Sequence, residues 1–250
     1  MPLDVALFPC RSDNYGFLIH DASSGATAAI DTPDAREIAA QCEARGWALT
    51  EIWNTHWHPD HAGGNVALKR RYKCTVKGPE QEAIPARDVT LSGGDSFDFA
   101  GYKVHVIHTP GHTDEHIIYH IPSAELAFVG DTIFALGCGR LFEGTPEQMW
   151  NSLSQIMALP EATKLYCAHE YTLSNAKFAV SVDGENPDLL AAIEDAKTKR
   201  AAGLPTVPTS VGVEKRANPF VTAGNAAELG RRRALKDNGI YILDKPIYRR

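Results

Sequence analysis

Residues 54–64 read NTHWHPDHAGG, and His56, His58, Asp60 and His61 crowd four potential metal ligands into six positions. The run EIWNTHWH before Pro59 has a strand's composition. With a period of two, His56 and His58 point the same way and can share one ion. Pro59 is expected to end that strand. Asp60 and His61 then fall in the following turn, where a second ion can be approached. A lone histidine is an ordinary core or surface residue, but four ligand types at one strand end point to metal.

Three more segments repeat the pattern of an apolar, β-branched run that ends in a polar group: YKVHVIHTPGH, ELAFVGD and TKLYCAH. Each reads as a strand that delivers a side chain at its C-terminal end, namely His112, Asp131 and His169. A carboxylate has two oxygens and can bridge two ions, whereas an imidazole normally binds one. Asp131 is therefore the expected bridge. HIIYHI also reads as a strand, so His116 and His120 are not ligands stacked on a helix, and His20, His105 and His108 read as structural.

Helix signals separate these strands. TPEQMWNSLSQIMAL starts with a capping-box pattern, Thr145 with Gln148, and has Pro146 in its first turn. NPDLLAAIEDAKTKR starts at Asn186 and Pro187, and NAAELGRRRALKDNG ends at Asn238 and Gly239. AGLPTVPTSVG, residues 202–212, reads as a loop, and after residue 169 only a brief YIL near the end has strand character. The expected organisation is an α/β domain over residues 1–170 and a helical domain over 171–250.

With 250 residues, 44% of them hydrophobic, the chain can bury a large core. No apolar run approaches the roughly 18 residues of a membrane span, and the start lacks a secretory signal, so a cytoplasmic location with no membrane partner is expected. Five dispersed cysteines without a CxxC pair suggest neither a disulfide framework nor a thiolate metal site. Residues 196–250 carry 12 Lys and Arg against 4 Asp and Glu, which leaves 13 against 27 for the rest. A body that acidic does not suit nucleic acid, while the basic tail suits a small anion. No Walker loop, GxSxG elbow or GxGxxG fingerprint is present, so a nucleotide site or serine nucleophile has no motif to stand on.

THWHPDH, His112 in TPGHT, Asp131 in GDT and His169 in CAHEYT resemble the metallo-β-lactamase superfamily. The match to SDNYGFLI, GCGRLFEG and NPF, with the basic helix behind them, extends the resemblance over nearly the whole chain to its glyoxalase II branch. The resemblance implies an αββα sandwich with a helical C-terminal domain that completes a glutathione pocket. It implies one ion on His56, His58 and His112, a second on Asp60, His61 and His169, and Asp131 bridging. Glutathione contacts would fall on Arg140, Tyr171, Arg233 and Lys236. Phe142 stands where some members carry tyrosine, and Asp114 and Glu115 replace smaller residues.

The implied activity is hydrolysis of S-D-lactoylglutathione to D-lactate and glutathione, the second step of methylglyoxal detoxification, by a metal-bridging hydroxide with Asp60 and Asp131 as catalytic residues. Histidine and carboxylate donors suit zinc first, with iron or manganese compatible. A monomer is the default. The rival is a mononuclear iron glutathione persulfide dioxygenase of the same superfamily. A β-lactamase would more often carry Cys in place of Asp131, and a processing ribonuclease needs a basic arm that is missing here.

Overall fold

The computed structural model describes residues 3–80 and 83–241. Two compact units are present, Met1–His108 with Glu115–Gly130 and Thr109–Asp114 with Asp131–Arg250.

In the first unit, β1 (Asp4–Cys10), β2 (Asn14–His20) and β3 (Thr27–Ile30) form an antiparallel meander. Helix α1 (Ala35–Arg45) crosses to β4 (Glu51–Trp53), which pairs parallel with β3. Asp34 caps α1 by accepting from the amides of Arg36 and Glu37, and Gly46 closes it in the left-handed region. The short α2 (Pro59–Ala62) and α3 (Asn65–Tyr72) lead to the parallel β5 (Thr75–Pro79) and β6 (Val89–Leu91). A second, antiparallel ladder follows: β7 (Ser96–Phe99), β8 (Tyr102–His108), β9 (Ile117–Ile121) and β10 (Leu126–Gly130).

Alternation along the strands explains how these layers stack. Ile38 and Cys42 of α1 and Leu68 of α3 share a core with Leu18, Ala29, Ile52 and Val76 on one face of the first sheet. The opposite face turns Trp53 onto Phe97, Phe99 and Tyr119, with ring centroids 4.9, 5.1 and 5.4 Å away, and Phe17 onto Phe128 at 5.8 Å. With both faces covered, β3 is buried at every position, as its unbroken apolar run TAAI requires.

The second unit has a two-stranded hairpin, β11 (Ile133–Phe134) with β12 (Gly137–Cys138), and then α4 (Pro146–Met157). It continues through β13 (Lys164–Cys167), α5 (Thr172–Asp183), α6 (Pro187–Ala201), β14 (Thr209–Ser210), α7 (Val211–Ala217) and α8 (Ala226–Asp237). The Thr145–Gln148 capping box opens α4, and Asn186 and Asn225 cap α6 and α8. Leu136, Ala176, Ala179, Leu189, Ile193 and Ala217 form a core, and Phe178 stacks on Phe220. No helix among the described residues is long and apolar enough to cross a membrane.

Two expectations need correction. The strand EIWNTHWH stops at Trp53: the Asn54 amide still reaches Lys77 O, but the Thr55 amide donates to the Asp31 carboxylate instead of to a neighbouring strand. Pro59 therefore starts a helix and does not end a strand, and a period of two is not what aligns His56 with His58. The segment 202–212 is not all loop, since Thr209–Ser210 pairs with β13 and Ser210 caps α7. The strand expected at YIL lies outside the described residues apart from Tyr241.

Trp53 is fully buried among three aromatic rings. Its replacement by Ala is expected to cost about 3–5 kcal/mol, read as a lower urea midpoint at unchanged slope.

Candidate metal centre

In the first unit, the ligand segment hangs from one buried carboxylate. Asp31, next after β3, accepts from the Thr55 amide at 2.8 Å, the Thr55 hydroxyl at 2.8 Å and His61 Nδ1 at 2.8 Å. Because the Thr55 hydroxyl proton goes to Asp31, its oxygen is left to accept from His56 Nδ1 at 3.0 Å. Both imidazoles are thus held with Nδ1 as the donor, which makes Nε2 the lone-pair nitrogen. His56 Nε2 and His58 Nδ1 face each other at 2.9 Å. His61 Nε2 lies 3.5 Å from Asp60 Oδ2, and Asn14 Nδ2 donates to that same carboxylate oxygen at 3.0 Å.

His116, read from the sequence as a non-ligand, stacks on the His56 ring at 4.8 Å. Gly130 makes room for this packing. It sits at φ +48°, and a Cβ there would lie 2.6 Å from Thr55 Oγ1 and 2.7 Å from His116 Nε2.

In the second unit, Asp131 stands between two histidines: Oδ2 is 3.4 Å from His112 Nε2 and Oδ1 is 3.4 Å from His169 Nε2. His112 Nδ1 donates to Arg140 O at 2.9 Å, which again leaves Nε2 as the open nitrogen. The His169 ring stacks on Tyr171 at 4.7 Å and 3°. Two donors that share a tetrahedral ion at about 2.0–2.2 Å lie about 3.3–3.6 Å apart, so the three carboxylate–imidazole separations fit a divalent ion. The donors are all nitrogen and oxygen. The cysteines are buried free thiols, and burial raises the pKa of Cys138 and Cys167.

Six of the seven site residues that the sequence singled out in this unit, all but His169, line one cavity of about 560 Å³: His112, Asp131, Arg140, Tyr171, Arg233 and Lys236. Arg233 is buried, with Nε and Nη2 on the Asp237 carboxylate and Nη1 on Cys138 O. Lys236 donates to Asn175 Oδ1, and both cations lie over the Phe220 ring. Burial and the neighbouring Arg233 push the Lys236 amine down to about 8. Phe142 is exposed at the rim and sets its edge against His112. Glu143 accepts from the Asp114 amide.

The Metallo-beta-lactamase superfamily profile matches residues 21–169, and the Hydroxyacylglutathione hydrolase C-terminus profile matches residues 170–241. Relatives named hydroxyacylglutathione hydrolase from Erythrobacter litoralis and Rhizobium meliloti are 53% and 54% identical over 90% and 89% of this chain and 90% and 88% of their own. The chain belongs to the hydroxyacylglutathione hydrolase family. Among solved structures, ETHE1 from Myxococcus xanthus superposes with a TM-score of 0.72 at 26% identity, covering 99% of this chain and 93% of that one. A metallo-β-lactamase from Staphylococcus aureus superposes at 0.69 with 21% identity, over 98% and 68%. The α/β fold is therefore of the metallo-β-lactamase type, as expected for this hydrolase family.

The sequence reading missed Asp31, although ATAAID has the same signature of an apolar run ending in a polar group as the four segments it did use. Replacing Asp31 with Asn puts an amide where His61 and Thr55 need an acceptor. Divalent-ion affinity is expected to fall about 10–100-fold, measured as zinc retained on dialysis against a competing chelator.

Proposed function

We propose that this chain is a metal-dependent thioesterase that hydrolyses S-D-lactoylglutathione and related 2-hydroxyacyl-glutathiones to the 2-hydroxy acid and glutathione. One observation carries the reading: the carboxylate between His112 and His169 and the cationic contacts Arg140, Arg233 and Lys236 line a single cavity. Family membership supports it at both ends, because the catalytic profile stops at residue 169 and the glutathione-hydrolase profile starts at 170. We accordingly assign the chemistry to residues 1–170 and completion of the glutathione pocket to 171–250.

On this reading His56, His58 and His112 would hold one ion and Asp60, His61 and His169 a second, with Asp131 offering its carboxylate to both. Zinc suits these donors, and so do iron and manganese. Bound divalent ions would supply a hydroxide nucleophile at neutral pH and polarise the thioester carbonyl. The protein's own part is orientation. Asp31 fixes the imidazole tautomers, Asn14 steadies Asp60, and Asp60 and Asp131 offer carboxylate oxygens to orient the attacking water. Lys236, Arg233 and Arg140 meet the glutathione carboxylates, and Tyr171, held flat on His169, presents its polar edge to the peptide. The departing thiolate is stable enough to need little protonation, so no general acid is required of the cavity. We place the enzyme in the cytoplasm as a monomer acting in methylglyoxal detoxification.

The persulfide dioxygenase alternative is not favoured, since the relatives above 50% identity and the C-terminal profile carry the hydrolase name. The deciding experiment follows thioester absorbance with S-D-lactoylglutathione and metal-replete protein. Turnover abolished by a chelator is expected, and oxygen uptake with glutathione persulfide instead would overturn the reading. Asp131→Ala should lose bound metal and at least about 1000-fold in kcat together. Retention of both would remove its bridging role.

Lys236 adds a pH signature. Its ammonium binds an anion while protonated, and its amine titrates at about 8. KM should be flat below pH 7 and climb above pH 8, with kcat changing less, because this contact is made equally in ground and transition states. In Lys236→Ala, KM should be high throughout and the rise lost.

A further inference from the structure

We propose that Glu214, on α7, is a positioning residue for the glutathione cavity: it holds the turn 134–137 from behind and so sets the anchors of Arg233 and Lys236. This rests on the thioesterase reading above for its meaning, and on the following contacts for its geometry.

The turn joins β11 to β12, and its polar backbone groups are held by three buried side chains. Glu214 Oε2 accepts from the Leu136 amide at 3.0 Å, and Asn218 Nδ2 donates to Phe134 O at 3.2 Å and to Gly137 O at 2.9 Å. Asn175 Nδ2 donates to Ala135 O at 2.9 Å. Glu214 also organises the set, because its Oε2 accepts from Asn218 Nδ2 at 2.8 Å and its Oε1 accepts from the Thr209 hydroxyl at 2.7 Å. Leu136 has φ +59°, a conformation unfavourable for a residue with a side chain, so the turn depends on these bonds to keep its shape.

The same turn separates two cavities. Phe134 and Cys138 face the glutathione cavity, whereas Ala135, Leu136 and Glu214 line a second one of about 610 Å³ against α6 and α7. The substrate cations are tied to this wall, Arg233 through Cys138 O and Lys236 through Asn175. Phe134 also sets its edge against Tyr171 at 5.2 Å. Movement of the turn would therefore displace three of the four proposed glutathione contacts, while His112 keeps its own support on Arg140 O.

Glu214 is fully buried, and burial pushes its carboxyl up to about 7. Few charges face it. Cys167 of β13 is its titratable neighbour, Lys215 and Arg216 pair with Glu161, Arg216 also with Asp188, and Lys164, Lys199, Asp188 and Asp195 line the same cavity. The folded state favours the protonated form, so the stability linked to Glu214 is full below its unfolded value near 4.5 and is lost as pH rises through 7.

Glu214→Leu and Glu214→Gln test the proposal in the full-length, zinc-loaded protein. In Gln, the amide oxygen can still accept from Leu136 and Asn218 while its NH₂ meets Thr209. For Leu we expect a tenfold or greater rise in both the KM for S-D-lactoylglutathione and the calorimetric Kd for glutathione, with zinc content unchanged, kcat within about threefold, and faster exchange of the Leu136 amide. Gln should restore KM and Kd to within about twofold. It should also gain Tm relative to the parent as pH rises from 5 to 8. Unchanged KM and Kd in Glu214→Leu would overturn the positioning role, as would a loss confined to the active fraction. If Leu does not fold, a Gln variant in which the Leu136 amide exchanges faster while the glutathione Kd stays unchanged would likewise overturn it. Failure of the parent enzyme to turn over thioester would sink the hydrolase reading alone, since the glutathione Kd and Leu136 exchange still judge Glu214.

Discussion

The Asp31 carboxylate is the constraint from which the ligand loop follows. Its three hydrogen bonds take the Thr55 amide out of the sheet ladder, so β4 ends and the chain is released to place histidines where a strand could not. The same group decides which nitrogen each imidazole offers, His61 directly and His56 through the Thr55 hydroxyl. A buried carboxylate with satisfied acceptors is stable in an apolar layer, and it fixes the orientation of the imidazoles around it. The stacked sheets contribute rigidity: Trp53 and its aromatic neighbours clamp the strand just before the loop begins.

How much of this was legible depended on how local each cause is. His56, His58, Asp60 and His61 announce themselves by residue type and spacing, and His112, Asp131 and His169 by standing where apolar runs end. The helix starts at Thr145 and Asn186 were equally readable, because a cap and its amides are two or three residues apart. Asp31 also ends an apolar run, but its role was not readable, since its partners lie 24 and 30 residues away. The same non-locality misplaced the end of β4, where propensity favoured a longer strand and a distant carboxylate took the next amide. Glu214 was hidden differently. In VGVEKRA it looks like one charge in a solvated helix, and only the turn reaching back from residue 136 reveals it as a buried acceptor.

The two proposed anion contacts on α8 show how charge is kept inside a protein. A buried guanidinium or ammonium loses hydration worth several kcal/mol, which a partner must offset. Arg233 receives the Asp237 carboxylate one turn along its own helix and the Cys138 carbonyl, and the face of Phe220 lies beneath both cations. Lys236 meets a neutral oxygen and the ring, and its burial and the like charge of Arg233 outweigh the pull of Asp237, so its amine gives up its proton more readily. An arriving carboxylate would relieve Lys236 far more than Arg233. If the two cations are the anion contacts proposed above, the less satisfied Lys236 would gain more from the anion, while Arg233 also holds the wall through Cys138 O.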